Sequence, residues 1–90
     1  MVCEFLPKEY KKRLLEVAEV EDLEEIGYTR RGAYNAKREG IISDERCERL
    51  VEVLGERALP VVEEALREFE RQVGELRRSL GEVNVEEDGR

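Results

Sequence analysis

Histidine and tryptophan are absent from the 90 residues, and only two cysteines occur, Cys3 and Cys47. The lack of histidine removes the commonest general base and the commonest neutral metal ligand. The cysteines stand 44 positions apart and form no C-x-x-C pair, so a zinc site would need an unusual acid-rich ligand set. No glycine-rich phosphate loop and no nucleophile–base arrangement is present, and the many carboxylates are spread along helical surfaces. The reading is therefore of a protein that is not an enzyme and has no cofactor, no metal and no small-molecule ligand. Long apolar runs are missing as well: nothing approaches the roughly 20 residues that cross a bilayer, and Met1–Leu6 is too short and too acidic for a signal peptide. A cytoplasmic protein with no membrane partner is expected.

Charge, by contrast, is abundant, at 43% of residues, with a formal net charge of -7. Arginine outnumbers lysine three to one, glutamate dominates the acids, and thermolabile amides are few, a thermophile-like balance. One segment reverses the overall sign: residues 28–43 hold four bases and one acid, whereas the flanking segments 1–27 and 44–90 are both acidic. A focused basic island, rather than bulk charge, sets where a polyanion docks. A chain this short buries a modest core, and partner subunits often extend such cores.

Helical spacing dominates the pattern. Pro7 suits a first helical turn and precedes Tyr10, Leu14, Leu15, Val17 and Ala18, predicting a helix over about 7–19. Glu21 and Asp22 open a second, over about 21–26, which Gly27 ends. Thr29 caps a third, over 30–39, closed by Gly40; Ser43 caps a fourth, closed by Gly55, with Ile42 placed to pack on Cys47 as a hydrophobic staple. Cys47 occupies an apolar position, where a thiol acts as a small hydrophobe, and a Cys3–Cys47 bridge is left open. Pro60 permits a fifth, longer helix. Strand alternation is lacking, so the class is all-α: a bundle of about four helices plus a long C-terminal helix.

On a helical wheel the third helix places Arg30, Arg31, Tyr34, Asn35 and Arg38 within an arc of about 140°, with Ala33 and Ala36 nearly opposite. Guanidinium forks grip guanine edges or phosphates, asparagine pairs bidentately with adenine, and tyrosine donates to phosphate or stacks. The segment from Asp22 to Gly40 resembles the helix-turn-helix of DNA-binding regulators, above all the lambda-repressor-like (Xre/Cro) group, and similar segments occur in some archaeal recombinases. Gly27 begins the turn, Tyr28 follows as the apolar residue and Thr29 caps the recognition helix; Ile26, Ala33 and Ala36 match buried positions. The resemblance covers 20–40 well and 7–55 in outline. Several positions depart from it: Leu23 stands where a small residue is usual, the buried pair Ala33 and Ala36 is smaller than the usual branched residues, Asp22 stands where an apolar residue is common, and Gly32 lies inside the recognition helix, at a cost of about 1 kcal/mol relative to alanine. The resemblance implies that Thr29, Arg30, Arg31, Tyr34, Asn35 and Arg38 contact the groove, and Lys37 joins them from the same basic run. Lys8, Lys11, Lys12 and Arg13 form a second basic cluster, read as a plain surface face or as a reach to backbone phosphates.

In the fifth helix the apolar steps alternate 4 and 3 through Val62, Leu66, Phe69, Val73, Leu76, Leu80 and Val83, an a/d heptad seam. The organisation expected is a DNA-binding domain over 1–57, a dimerisation helix over 58–81 and a flexible acidic tail over 82–90. Val62, Leu66, Phe69, Val73, Leu76 and Leu80 would pair two chains as a coiled-coil homodimer, in parallel or antiparallel orientation. The expected function is sequence-specific binding of double-stranded DNA in transcription regulation; the alternative is a protein–protein interaction module working through the long helix, with the helix-turn-helix as scaffold.

Overall fold

The computed structural model describes residues 2–81, and among them every regular element is helical: the chain is all-α. Short 3₁₀ turns at Val2–Phe5 and Gly55–Ala58 accompany α1 (Lys8–Val17), α2 (Val20–Glu25), α3 (Arg30–Glu39), α4 (Asp44–Leu54) and α5 (Leu59–Gly81). The acidic tail and Val83 lie outside the described residues.

The boundaries follow from local chemistry. Pro7 stands just outside α1 with extended backbone, and its carbonyl accepts from the Tyr10 and Lys11 N–H groups. Ala18 is extended as well, so α1 stops at Val17, two residues short of the expected end, and Val17 is exposed instead of packed. Asp22 gives α2 its start by accepting from the Glu19 N–H at 2.8 Å, a satisfied helix N-terminus. The Thr29 hydroxyl accepts from the Gly32 N–H at 3.0 Å, and α3 spans the expected residues. Its end requires glycine twice over: Gly40 has φ 71°, and a Cβ there would sit 2.8 Å from the Lys12 Cγ. The Ser43 hydroxyl caps α4 by accepting from the Arg46 N–H.

Leu14 and Leu15 of α1, Leu23 of α2, Ala33 of α3 and Leu50 of α4 are fully buried in one core, joined by Leu6, Tyr10, Ile26, Ala36, Ile42 and Leu54. At the α2–α3 contact the large side chain is Leu23 and the small ones are Ala33 and Ala36. Cys3 and Cys47 are disulfide-bonded and fully buried, tying the N-terminal 3₁₀ turn to α4, and the Cys3 N–H donates to Glu48 at 2.6 Å. Ala58 and Val61 also enter this core, so the first turns of α5 are part of the bundle, packed on α1 and held by an Arg13–Glu64 ion pair at 2.6 Å.

Beyond that anchor α5 projects, giving the molecule extents of 59 × 23 × 18 Å. Leu66, Phe69, Leu76 and Leu80 are each more than half exposed, while Val62 and Val73 are half-buried. The chain's own helices therefore leave most of the heptad seam uncovered.

Candidate nucleic-acid interface

The Gly27 turn (φ 111°) sets α3 at an angle to α2, and burial of Ala33 and Ala36 leaves the opposite side of the helix outward. Methyl-sized side chains seat the α3 backbone close to the core, and the helix presents its long side chains to solvent. Arg31 and Arg38, seven positions apart, stand on the outermost line of that face, and neither has an ion-pair partner among the described residues. Tyr34 is exposed beside them, and Asn35 is half-buried on one flank. Gly32 has a local reason as well: a Cβ would press on the capping Thr29 hydroxyl at 3.1 Å and touch the Tyr28 ring at 3.5 Å.

Two of the expected contact residues are engaged elsewhere. The Arg30 guanidinium pairs with Glu24 of α2 at 3.3 Å, and that acid holds it charged even more firmly than usual. Lys37 points back into the bundle, where its ammonium donates to the carbonyl oxygens of Leu15, at 2.6 Å, and Ala18. Those carbonyls end α1, where a cation offsets the negative end of the helix dipole. Lys37 therefore fastens α3 to α1 instead of standing on the outward face. The cleft between α3 and the α1–α2 junction is lined by Glu16, Glu19, Glu21, Arg30, Tyr34 and Lys37, so this edge of α3 borders acids.

The second basic cluster is largely structural. Lys11 pairs with Asp44, Lys12 packs its stem on Gly40, and Arg13 pairs with Glu64 while lying over the Tyr10 ring. Two residues that no sequence pattern singles out join the turn instead. The Arg46 guanidinium of α4 stacks on the Tyr28 ring at 4.2 Å from its centroid, and Arg49 donates to the Ile26 carbonyl at the end of α2. Packing of α4 on α2 brings them to the turn that precedes α3.

Compared with known proteins, the chain matches no family model, no curated protein and no solved structure. The face itself thus carries the functional reading. Arg31, Arg38, Tyr34 and Asn35 offer forked donors, a phenol and a carboxamide along about two turns of one helix, a set suited to phosphate oxygens and purine edges. No helix among the described residues is long and apolar enough to cross a membrane.

Proposed function

We propose that the protein binds double-stranded DNA as a small dimeric helix-turn-helix regulator of transcription, with α3 in the major groove. The observation that carries this is the unpaired Arg31–Arg38 line on the outward face of a helix whose inner side is alanine. Thr29 and Tyr34 would contact phosphates, and Arg31, Asn35 and Arg38 would meet base edges; Arg30 joins them once released from Glu24. Arg46 beside the turn adds a backbone contact. The acidic remainder of the surface restrains non-specific adhesion, leaving the focused patch to supply the phosphate attraction. A cytoplasmic location fits this role, and the buried disulfide is compatible with it in the setting that the thermophile-like composition suggests, since intracellular proteins of hyperthermophiles retain such bridges.

A second reading, a protein–protein interaction module acting through α5, is favoured by the length of exposed seam. Selection from a random duplex library followed by salt titration separates the two. DNA binding predicts an enriched two-fold symmetric site, affinity that falls steeply with salt, and a loss of about tenfold for Arg31→Ala with a salt slope lower by about one. Failure to bind any duplex at about 50 mM salt overturns the DNA reading.

A further inference from the structure

We propose that two copies of the chain pair antiparallel through α5, in a register that sets Phe69 against Leu80 and Val73 against Leu76 of the second copy. This deepens, and rests on, the reading that α5 is where the chains meet. The orientation follows from charge. Glu70 and Arg77 both flank the seam at the same heptad position, seven residues apart, and neither has an ion-pair partner among the described residues. By contrast, the outer side of the same helix is already satisfied, since Arg71 pairs with both Glu68 and Glu75.

In an antiparallel heptad pair, like flanking positions face each other across the seam. The register above then puts Glu70 opposite Arg77 of the second copy and, by symmetry, Arg77 opposite its Glu70: two complementary pairs and no like-charge contact. A parallel, in-register pair sets Glu70 against Ala65 and Arg77 against Gln72, and it leaves both charges without a partner.

A groove lies at the bundle end of the seam. Val2, Phe5, Val62, Leu66 and Phe69 line an apolar depression of about 450 Å³, and Phe5 is 81% exposed on its rim. The antiparallel register delivers the far end of the second α5, with Leu80 leading, to the mouth of this groove at Phe69. A parallel pair instead sets Phe69 against Phe69 and Leu66 against Leu66 at this groove. At 1.5 Å per residue, the two Val62 positions lie about 38 Å apart along the pair, with the recognition bundles at opposite ends.

Sedimentation equilibrium on Glu70→Arg, on Arg77→Glu and on their equimolar mixture tests the orientation. Both residues are exposed and outside the core, so the variants keep the fold. Each variant alone places like charges together twice and dimerises about tenfold more weakly than the unmodified chain. The mixture restores both complementary pairs, so heterodimers form about tenfold more tightly than either variant homodimer. If the unmodified chain dimerises but the single variants match it, or the mixture shows only statistical exchange, the antiparallel register is overturned while dimerisation itself stands. A monomeric unmodified chain at micromolar concentration overturns pairing and register together, and leaves DNA binding to its own duplex test.

Discussion

Within the basic island, tertiary packing engages some side chains and leaves others on the outward face of α3. Arg31 and Arg38 have no ion-pair partner among the described residues, Arg30 is held by Glu24 at 3.3 Å, and Lys37 fastens α3 to α1. In the proposed DNA complex Glu24 would compete with phosphate for Arg30, and its own charge would oppose a polyanion at the same edge. Glu24→Gln removes both effects without disturbing the core and should raise duplex affinity about 3–10-fold at low salt, an advantage that shrinks as salt screens the surface. Fluorescence anisotropy with a labelled duplex checks this. An unchanged affinity would remove Arg30 from the contact set. Gly32 shows why residue-scale propensity is incomplete: the roughly 1 kcal/mol that alanine adds to a helix is set against pressure on the Thr29 cap that begins α3.

At the scale of the element, α2 is the helix least able to stand alone, being six residues long. Its start depends on Asp22, which accepts from the Glu19 N–H and receives two guanidinium bonds, at 3.0 and 3.1 Å, from Arg57 in the second 3₁₀ turn. The hydrogen bonds from Arg57, with the Glu19 N–H adding to them, hold the Asp22 carboxyl below its ordinary value of 3.8 against the opposing effect of burial. A folded value below the unfolded one means that this stabilisation is fully present above about pH 4 and is lost as pH falls through the lower folded value. Asp22→Ala should therefore cost about 1–3 kcal/mol at neutral pH, and the gap between variant and parent in urea unfolding should close on acidification below pH 3.8. A gap that stays constant from pH 7 to pH 2 would rule the Asp22 carboxylate out as its source. Asp22 thus ties α2 to the entrance of α5.

For the whole molecule, the disulfide and the anchoring of α5 set how a small core holds a long projecting helix. The Cys3–Cys47 bridge closes 44 residues that span α1, α2 and α3, and constraint of the unfolded chain by a loop of that size is worth about 4 kcal/mol. Reduction, or a Cys47→Ala variant, should lower the unfolding free energy by about 3–4 kcal/mol, measured by denaturant titration with and without reductant. Equal midpoints under both conditions would show that the bridge does not constrain the fold. The same bridge holds the Val2–Phe5 turn in place, and with it Phe5 on the rim of the groove beside the α5 seam. Loss of the bridge should therefore weaken chain pairing as well as folding.

Sequence alone determined the elements and their faces. Glycine at positive φ, hydroxyl caps and 3.6-residue periodicity are local physics, and they located α3 to the residue, α4 and the exposed seam of α5 without any tertiary information. The ends of α1 and the start of α2 were less legible, because Ala18 and Glu19 carry no breaking residue and the α2 cap is an acid that works through its neighbour. Tertiary structure alone decided which charges remain available. An arginine or lysine on a helix has the same pattern whether its head meets solvent, a carboxylate or a carbonyl, and the difference lies in long-range neighbours: Glu24 for Arg30, Leu15 and Ala18 for Lys37, Tyr28 for Arg46, Asp22 for Arg57. The Cys3–Cys47 bridge belongs to the same class, since two thiols 44 residues apart become partners only when the chain between them has packed.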